Sequence, residues 1–177
     1  MRLPRGNRLA RRLVDIATIC AAGLAIAAVV GLLQDSTPFG DDALHYIGET
    51  RALTANFPFL AWDPHAFAGY VPTIGLSWLT YLPPSLLLRM GLDALSSFHL
   101  TFVCEFLLYG VSVYYFARSA GSDKIVSFSI PILAWSTNAY WNLTVWGGAY
   151  DRAFTIPMMF FSFGTTDRKS TRLNSSH

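Results

Sequence analysis

The sequence predicts an all-α integral membrane protein, a multi-helix bundle whose long external first loop contains juxtamembrane helices. Three observations carry that reading. Hydrophobic residues make up 53% of the chain and charged residues only 14%, the balance of a polytopic membrane protein. The charges are bunched between long uncharged runs, not interleaved as on a soluble domain. Basic residues gather at the N-terminus and in one short internal loop, which gives the apolar runs a direction across a bilayer.

Residues 1–15 carry Arg2, Arg5, Arg8, Arg11 and Arg12, and a flank this basic holds a terminus in the cytoplasm. Ile16 to Leu33 follows without a charged side chain. As a helix it spans about 27 Å, close to the hydrocarbon thickness of a bilayer, so 16–33 reads as the first transmembrane helix and the chain after it lies outside. A cleaved signal peptide has the same basic start. Its apolar core is usually only about 7–15 residues long, and here further apolar segments follow.

Residues 34–96 read as the external loop. Asp35, Asp41, Asp42, Glu49, Asp63 and Asp93 face only Arg51 and Arg89, and connections this long are usually functional when ordered. Asp41 to Ala55 predicts a short helix, with Gly40 ahead of it and Leu44, Ile47 and Leu53 near a helical period. Pro58, Pro64, Gly69 and Pro72 punctuate the next stretch into a loop, whose Trp62, Phe67 and Tyr70 suit the headgroup level.

Ile74 to Met90 is long enough to span, but Pro83-Pro84 interrupts its hydrogen-bond ladder. It either crosses or stays juxtamembrane or re-entrant. Charge bias favours the second reading, which leaves Arg118 and Lys124 cytoplasmic; a crossing would put them outside.

Residues 97–166 supply further transmembrane helices: a span at Phe98 to Phe116, a return outward from Ile125 to about Tyr140, a second external loop from Trp141 to Arg152, and a fourth span beginning near Phe154. Residues 167–177, DRKSTRLNSSH, break that last apolar run. They resemble, codon for codon, the translation of a common sequencing-library adapter, so the native sequence is expected to end near Thr166 as the N-terminal fragment of a longer protein. Without Asp167, Arg168, Lys169 and Arg172 the basic and acidic residues balance, so the formal charge of +2 says nothing about partners. It gives no reason to expect nucleic acid. Cys20 and Cys104 sit in apolar runs as small hydrophobes, without a disulfide or metal framework.

On this topology two acidic sites share the external side: Asp41-Asp42 after the first span and Asp151 before the fourth. Carboxylates at a membrane surface serve as a general base for an acceptor hydroxyl or hold a hard divalent cation such as Mg2+ or Mn2+ through oxygen ligands; they are also, more commonly, just solvated. His45 lies four residues from Asp41, on the same face of the expected helix, where it can orient a carboxylate or meet a phosphate. Glu105 lies in mid-span, where ionisable residues face a bundle interior or a cavity, and Thr101, Tyr109 and Ser112 share its face. Either a hydrogen-bonded structural role or a functional one fits that pattern.

A basic N-terminus, one span and then GDDALHYIGETRALTANFPFLAWDPHAFAGYVP resemble the opening of the GT-C superfamily of polytopic membrane glycosyltransferases. The resemblance is nearest to bacterial membrane proteins of the YfhO-like and 6-pyruvoyl-tetrahydropterin synthase-related groups. The matching elements are Asp41-Asp42 with His45, and Trp62, Pro64, Gly69, Tyr70 and Pro72. The resemblance implies a GT-C-like bundle in a bacterial inner or plasma membrane, transferring sugar from a polyprenyl-phosphate-linked donor on the external face. It places Asp41 at the active centre with Asp42 beside it, and Asp151 as a second acidic group; Asp41 and Asp151 are the positions for a metal. Arg152 is positioned to pair with donor phosphate, though it also adjoins Asp151. A fragment is expected to be inactive alone. A transporter or flippase built around Glu105 and Pro131, and a non-catalytic membrane scaffold, are the alternatives.

Overall fold

A computed structural model of the chain describes residues 6–30, 43–56, 78–137 and 155–166. Within them every element is a helix and no strand occurs. The helices are α1 (Gly6–Val29), α2 (Ala43–Asn56), α3 (Trp78–Arg89), α4 (Ala94–Ser119), α5 (Lys124–Trp135) and α6 (155–166). Two of them, α1 over Leu9–Val29 and α4 over its full length, are long and apolar enough to cross a membrane. These correspond to the first two expected spans.

The chain divides into two compact units. One comprises α2, α3 and α4 as far as Glu105; the other comprises α1, α4 from Phe106 onward, α5 and α6.

In the first unit, α2 buries Tyr46, Ile47, Glu49, Thr50 and Leu53, an i, i+1, i+3, i+4, i+7 stripe that forms one helical face. Leu44, expected on that face, is 77% exposed. The stripe packs on α3: Tyr46 lies against Tyr81 with ring centroids 5.5 Å apart, and the Ser85 hydroxyl donates to the Thr50 carbonyl at 3.2 Å. That packing explains why α3 continues through Pro83 and Pro84, where the sequence argument expected a break. Each proline removes a backbone donor, but Pro84 and Ser85 are fully buried, and tertiary contact overrides local propensity. The described α3 has 12 residues, about 18 Å; the first four residues of the segment expected from Ile74 lie outside the described ones.

The joints α3–α4 and α4–α5 are built alike. At the first, Gly91 N–H bonds to Leu88 O and Leu92 N–H to Leu87 O at 3.1 and 3.2 Å; at the second, Gly121 bonds to Arg118 O and Ser122 to Ala117 O at 3.4 and 3.1 Å. These are Schellman closures. Both glycines have positive φ, 100° and 88°. Two residues after each glycine, an aspartate caps the next helix: Asp93 Oδ1 accepts from Ser96 N–H at 3.0 Å and Asp123 Oδ1 from Val126 N–H at 2.8 Å. The bonds from Ser96 hold the Asp93 carboxyl below the usual carboxylate range, so its capping is complete at neutral pH and fades as pH falls through that lowered value.

A Cβ at Gly91 or Gly121 would meet no atom within 4 Å, so substitution there tests backbone conformation alone. Gly91→Ala and Gly121→Ala are each expected to cost about 1–2 kcal/mol from the left-handed φ. Denaturant unfolding in detergent micelles, followed by helicity, measures it.

In the second unit, α1 and α5 are pinned by an ion pair between Lys124 Nζ and Asp15 Oδ1 at 2.7 Å, and the Tyr114 hydroxyl of α4 donates to Asp15 Oδ2 at 2.9 Å. Further along, Trp135 closes the same three helices together. Its indole is fully buried, stacks on Phe106 at 5.1 Å and 15°, and donates from Nε1 to the Phe106 carbonyl at 3.1 Å. Gly23 and Gly110 form the floor on which it lies.

Helix α6 packs on α4 by an aromatic seam. Phe160 meets Tyr109 and Phe116 at 6.2 and 5.5 Å, and Phe161 meets Tyr115 at 5.6 Å. Gly164 lets Tyr115 and Ser119 approach. Helix α5 has 12 residues, about 18 Å, and so is shorter than the third span expected at Ile125 to Tyr140; residues beyond Thr137 on that side lie outside the described ones.

Candidate functional site

Of the residues that the resemblance assigns to sugar transfer, His45 alone lies among the described ones; Asp41, Asp42, Asp151 and Arg152 lie outside them, as does the aromatic loop with Trp62 and Tyr70. Helix α2 begins at Ala43, two residues after Asp41. The expected sharing of a helix face between Asp41 and His45 therefore lies outside the described residues.

What the structure does place beside His45 is a different carboxylate. Glu49, one helical turn on, has its Oε1 3.9 Å from His45 Nδ1. That separation is too long for a hydrogen bond but close enough for a charged pair. The Glu49 side chain is almost completely buried, whereas the histidine side chain is 34% exposed. The imidazole also meets the neighbouring Tyr46 edge-on at 6.0 Å and 71°. Glu49 thus sits beside a partly exposed imidazole, a ring type able to carry a proton or meet a phosphate.

Glu49 was legible as a partner in the i, i+4 spacing of the sequence. Its burial was not, because that follows from the packing of α2 on α3. The anchoring is firm: Thr50 Oγ1 donates to the Tyr46 carbonyl at 2.8 Å, Thr54 Oγ1 to the Thr50 carbonyl at 2.7 Å, and Ser85 reaches across from α3 to that same Thr50 carbonyl. Helix α2 is therefore tied to α3 through the Thr50 carbonyl; its first turn carries His45, and the residues before it in sequence are the aspartate pair.

Among the described residues no group of three His, Cys, Asp or Glu side chains is placed to hold a metal ion. Asp41 and Asp151, the positions expected to hold one, are not among those residues. Glu105 is 5% exposed, as the mid-span position predicted. Two of the three hydroxyls expected to accompany it bond to their own backbone: Thr101 donates to the Ser97 carbonyl and Ser112 to the Tyr109 carbonyl, at 2.8 and 2.7 Å. Cys20 and Cys104 are free thiols.

Comparison with known proteins finds no matching protein family, no similar curated protein and no similar solved structure.

Proposed function

We propose that this chain belongs to a membrane-embedded glycosyltransferase of GT-C type that uses a polyprenyl-phosphate-linked sugar on the external face. The observation that supports it best is the α2–α3 pair. Among the described residues two short helices lie in sequence between α1 and α4, the two helices apolar enough to cross a membrane, and they pack on each other through Tyr46, Tyr81, Thr50 and Ser85. The aspartate pair immediately precedes the first of them. This is the arrangement the resemblance implies for a first external loop with juxtamembrane helices.

The exposed apolar side chains of α1, including Leu9, Leu13, Val14, Leu24 and Val29, support a lipid environment, since an apolar face of that length is unfavourable in water. In the proposed reaction the acceptor hydroxyl attacks the anomeric carbon of the donor sugar and gives its proton to Asp41. A new glycosidic bond forms, the bond from anomeric carbon to phosphate oxygen breaks, and the polyprenyl phosphate leaves with its negative charge opposite Arg152. Asp42 and Asp151 shape the field at the acceptor, and His45, with Glu49 beside it, stands at the edge of the site.

Asp41→Asn is expected to lower sugar transfer by the protein about 10²–10⁴-fold, the usual contribution of a general base, with membrane insertion unchanged. Transfer at the wild-type rate would sink the assignment.

A further inference from the structure

One end of the unit built from α1, α4, α5 and α6 gathers charges that sugar transfer does not use. Asp15 on α1 lies against the Tyr114 hydroxyl of α4 and Lys124 of α5, at 2.9 and 2.7 Å. About two turns further along α1, Gly23 lies against Leu107 and Trp135. These contacts fix the directions: α4 runs antiparallel to α1, and α5 parallel to it. The start of α1, the end of α4 and the start of α5 therefore share one end. Away from it the helices are uncharged, with no Asp, Glu, Lys or Arg from Ile16 to Val29, from Phe106 to Ala117, from Ile125 to Trp135 or in α6.

Arg11 and Arg12 stand one turn outward of Asp15 on α1, and Arg118 stands one turn outward of Tyr114 on α4. Spacings of three and four residues put them on the helix faces that carry Asp15 and Tyr114, and Arg118 is near enough for its charge to act on Asp15. The carboxylates of this end are already committed: Asp15 holds Lys124 and Tyr114, and Asp123 caps α5 through Val126 N–H. Arg118 donates one N–H to the Ser122 carbonyl. All three arginines are exposed, and none forms an ion pair among the described residues. Just inward of these cations the exposed side chains are apolar: Leu13 and Val14 on α1, Ile125 and Val126 on α5.

From this geometry we infer that Arg11, Arg12 and Arg118 form a binding site for the phosphate of an acidic phospholipid headgroup, whose acyl chains lie along Leu13, Val14 and Ile125. Cations set above an exposed apolar wall match a ligand with an anionic head and apolar chains; a free anion would leave the wall uncovered. Arginine suits the head, because its planar fork binds phosphate oxygens in pairs. The Asp15 contact holds together the three helices that bring these residues to one end. The inference uses no residue assigned to sugar transfer and stands whether or not the chain is a transferase.

The test places the full chain in phosphatidylcholine vesicles with a trace of spin-labelled phosphatidylglycerol or spin-labelled phosphatidylcholine. The motionally restricted fraction of each label gives their relative association, and phosphatidylglycerol is expected to be preferred. Arg12→Gln and Arg118→Gln should each lower that preference about fivefold, the contribution of one cation near an anionic lipid surface. Arg51→Gln removes the same charge from α2 and should leave it unchanged. Arg12→Gln keeps the Arg118 bond to Ser122, so it carries the test if Arg118→Gln disturbs the joint; helicity and flotation with the vesicles identify folded, inserted variants. The inference is overturned if the wild-type chain does not float with the vesicles or shows no preference, or if Arg51→Gln lowers the preference as much as Arg12→Gln. Loss of the preference to inorganic phosphate, but not to chloride at equal ionic strength, would assign the arginines to a free anion and overturn it too.

Discussion

Trp135→Ala is expected to destabilise the protein by about 2–3 kcal/mol, below or at the low end of the 3–5 kcal/mol usual for removing a buried tryptophan. The reduction has a physical reason. For the membrane setting proposed above, the unfolded helices also lie in hydrocarbon, so little transfer energy is lost and the effect comes from packing and hydrogen bonding. Trp135 supplies both, since it is fully buried, stacked on Phe106 and hydrogen-bonded to the Phe106 carbonyl. Its removal leaves Gly23 and Gly110 facing a void that neither can fill, because neither has a side chain.

Trp135→Phe separates the contributions. It keeps a ring on Phe106 and loses the N–H bond, a difference of about 1 kcal/mol, plus the contacts of the larger ring. Unfolding titrations in detergent micelles, read by helicity, distinguish the two variants. Equal stability of Trp135→Ala and wild type would show that the indole does not hold α1, α4 and α5 together.

The junction also marks where sequence reasoning stops. The apolar runs read at Ile16–Leu33 and Phe98–Phe116 overlap the apolar helices at Leu9–Val29 and Ala94–Ser119, because length and sparse charge are local properties. The joints at Gly91 to Asp93 and Gly121 to Asp123 carry their signal in a glycine followed two residues later by an aspartate, which can be read from the chain alone. Pro83 and Pro84 misled, since their local effect is to stop a helix while the burial of α3 against α2 sustains it.

The same division holds at the candidate sites. Burial of Glu105 could be foreseen from its mid-span position, but the turning of Thr101 and Ser112 to their own backbone could not. The spacing of His45 and Glu49 was visible; that Glu49 is the buried member of the pair depends on α3, which lies elsewhere in the chain. Nothing near Trp135 announces its place, because the residues that receive it belong to α1 and α4.

Gly110→Ala provides the stronger proof of that junction, because its sign depends on Trp135. A Cβ at Gly110 would overlap Cζ2 and Cη2 of the indole, atoms of a rigid ring held by Phe106 on one side and by a hydrogen bond at its nitrogen. Neither constraint lets the ring yield cheaply. The cost expected is therefore about 3 kcal/mol, the upper end for overpacking. Gly23→Ala should cost less, since its Cβ would come 2.7 Å from Leu107 Cδ2 and 2.8 Å from Trp135 Cη2, and the leucine side chain can rotate away. In a Trp135→Ala background the obstacle at Gly110 is gone, and alanine is the better helix former by about 1 kcal/mol. The same substitution is then expected to be neutral or stabilising. A double-mutant cycle should give a coupling of about 3–4 kcal/mol between the two positions, the difference between the cost in the two backgrounds. Additive effects would mean that the indole and Gly110 are not in contact, and that α5 reaches the other helices by some other surface.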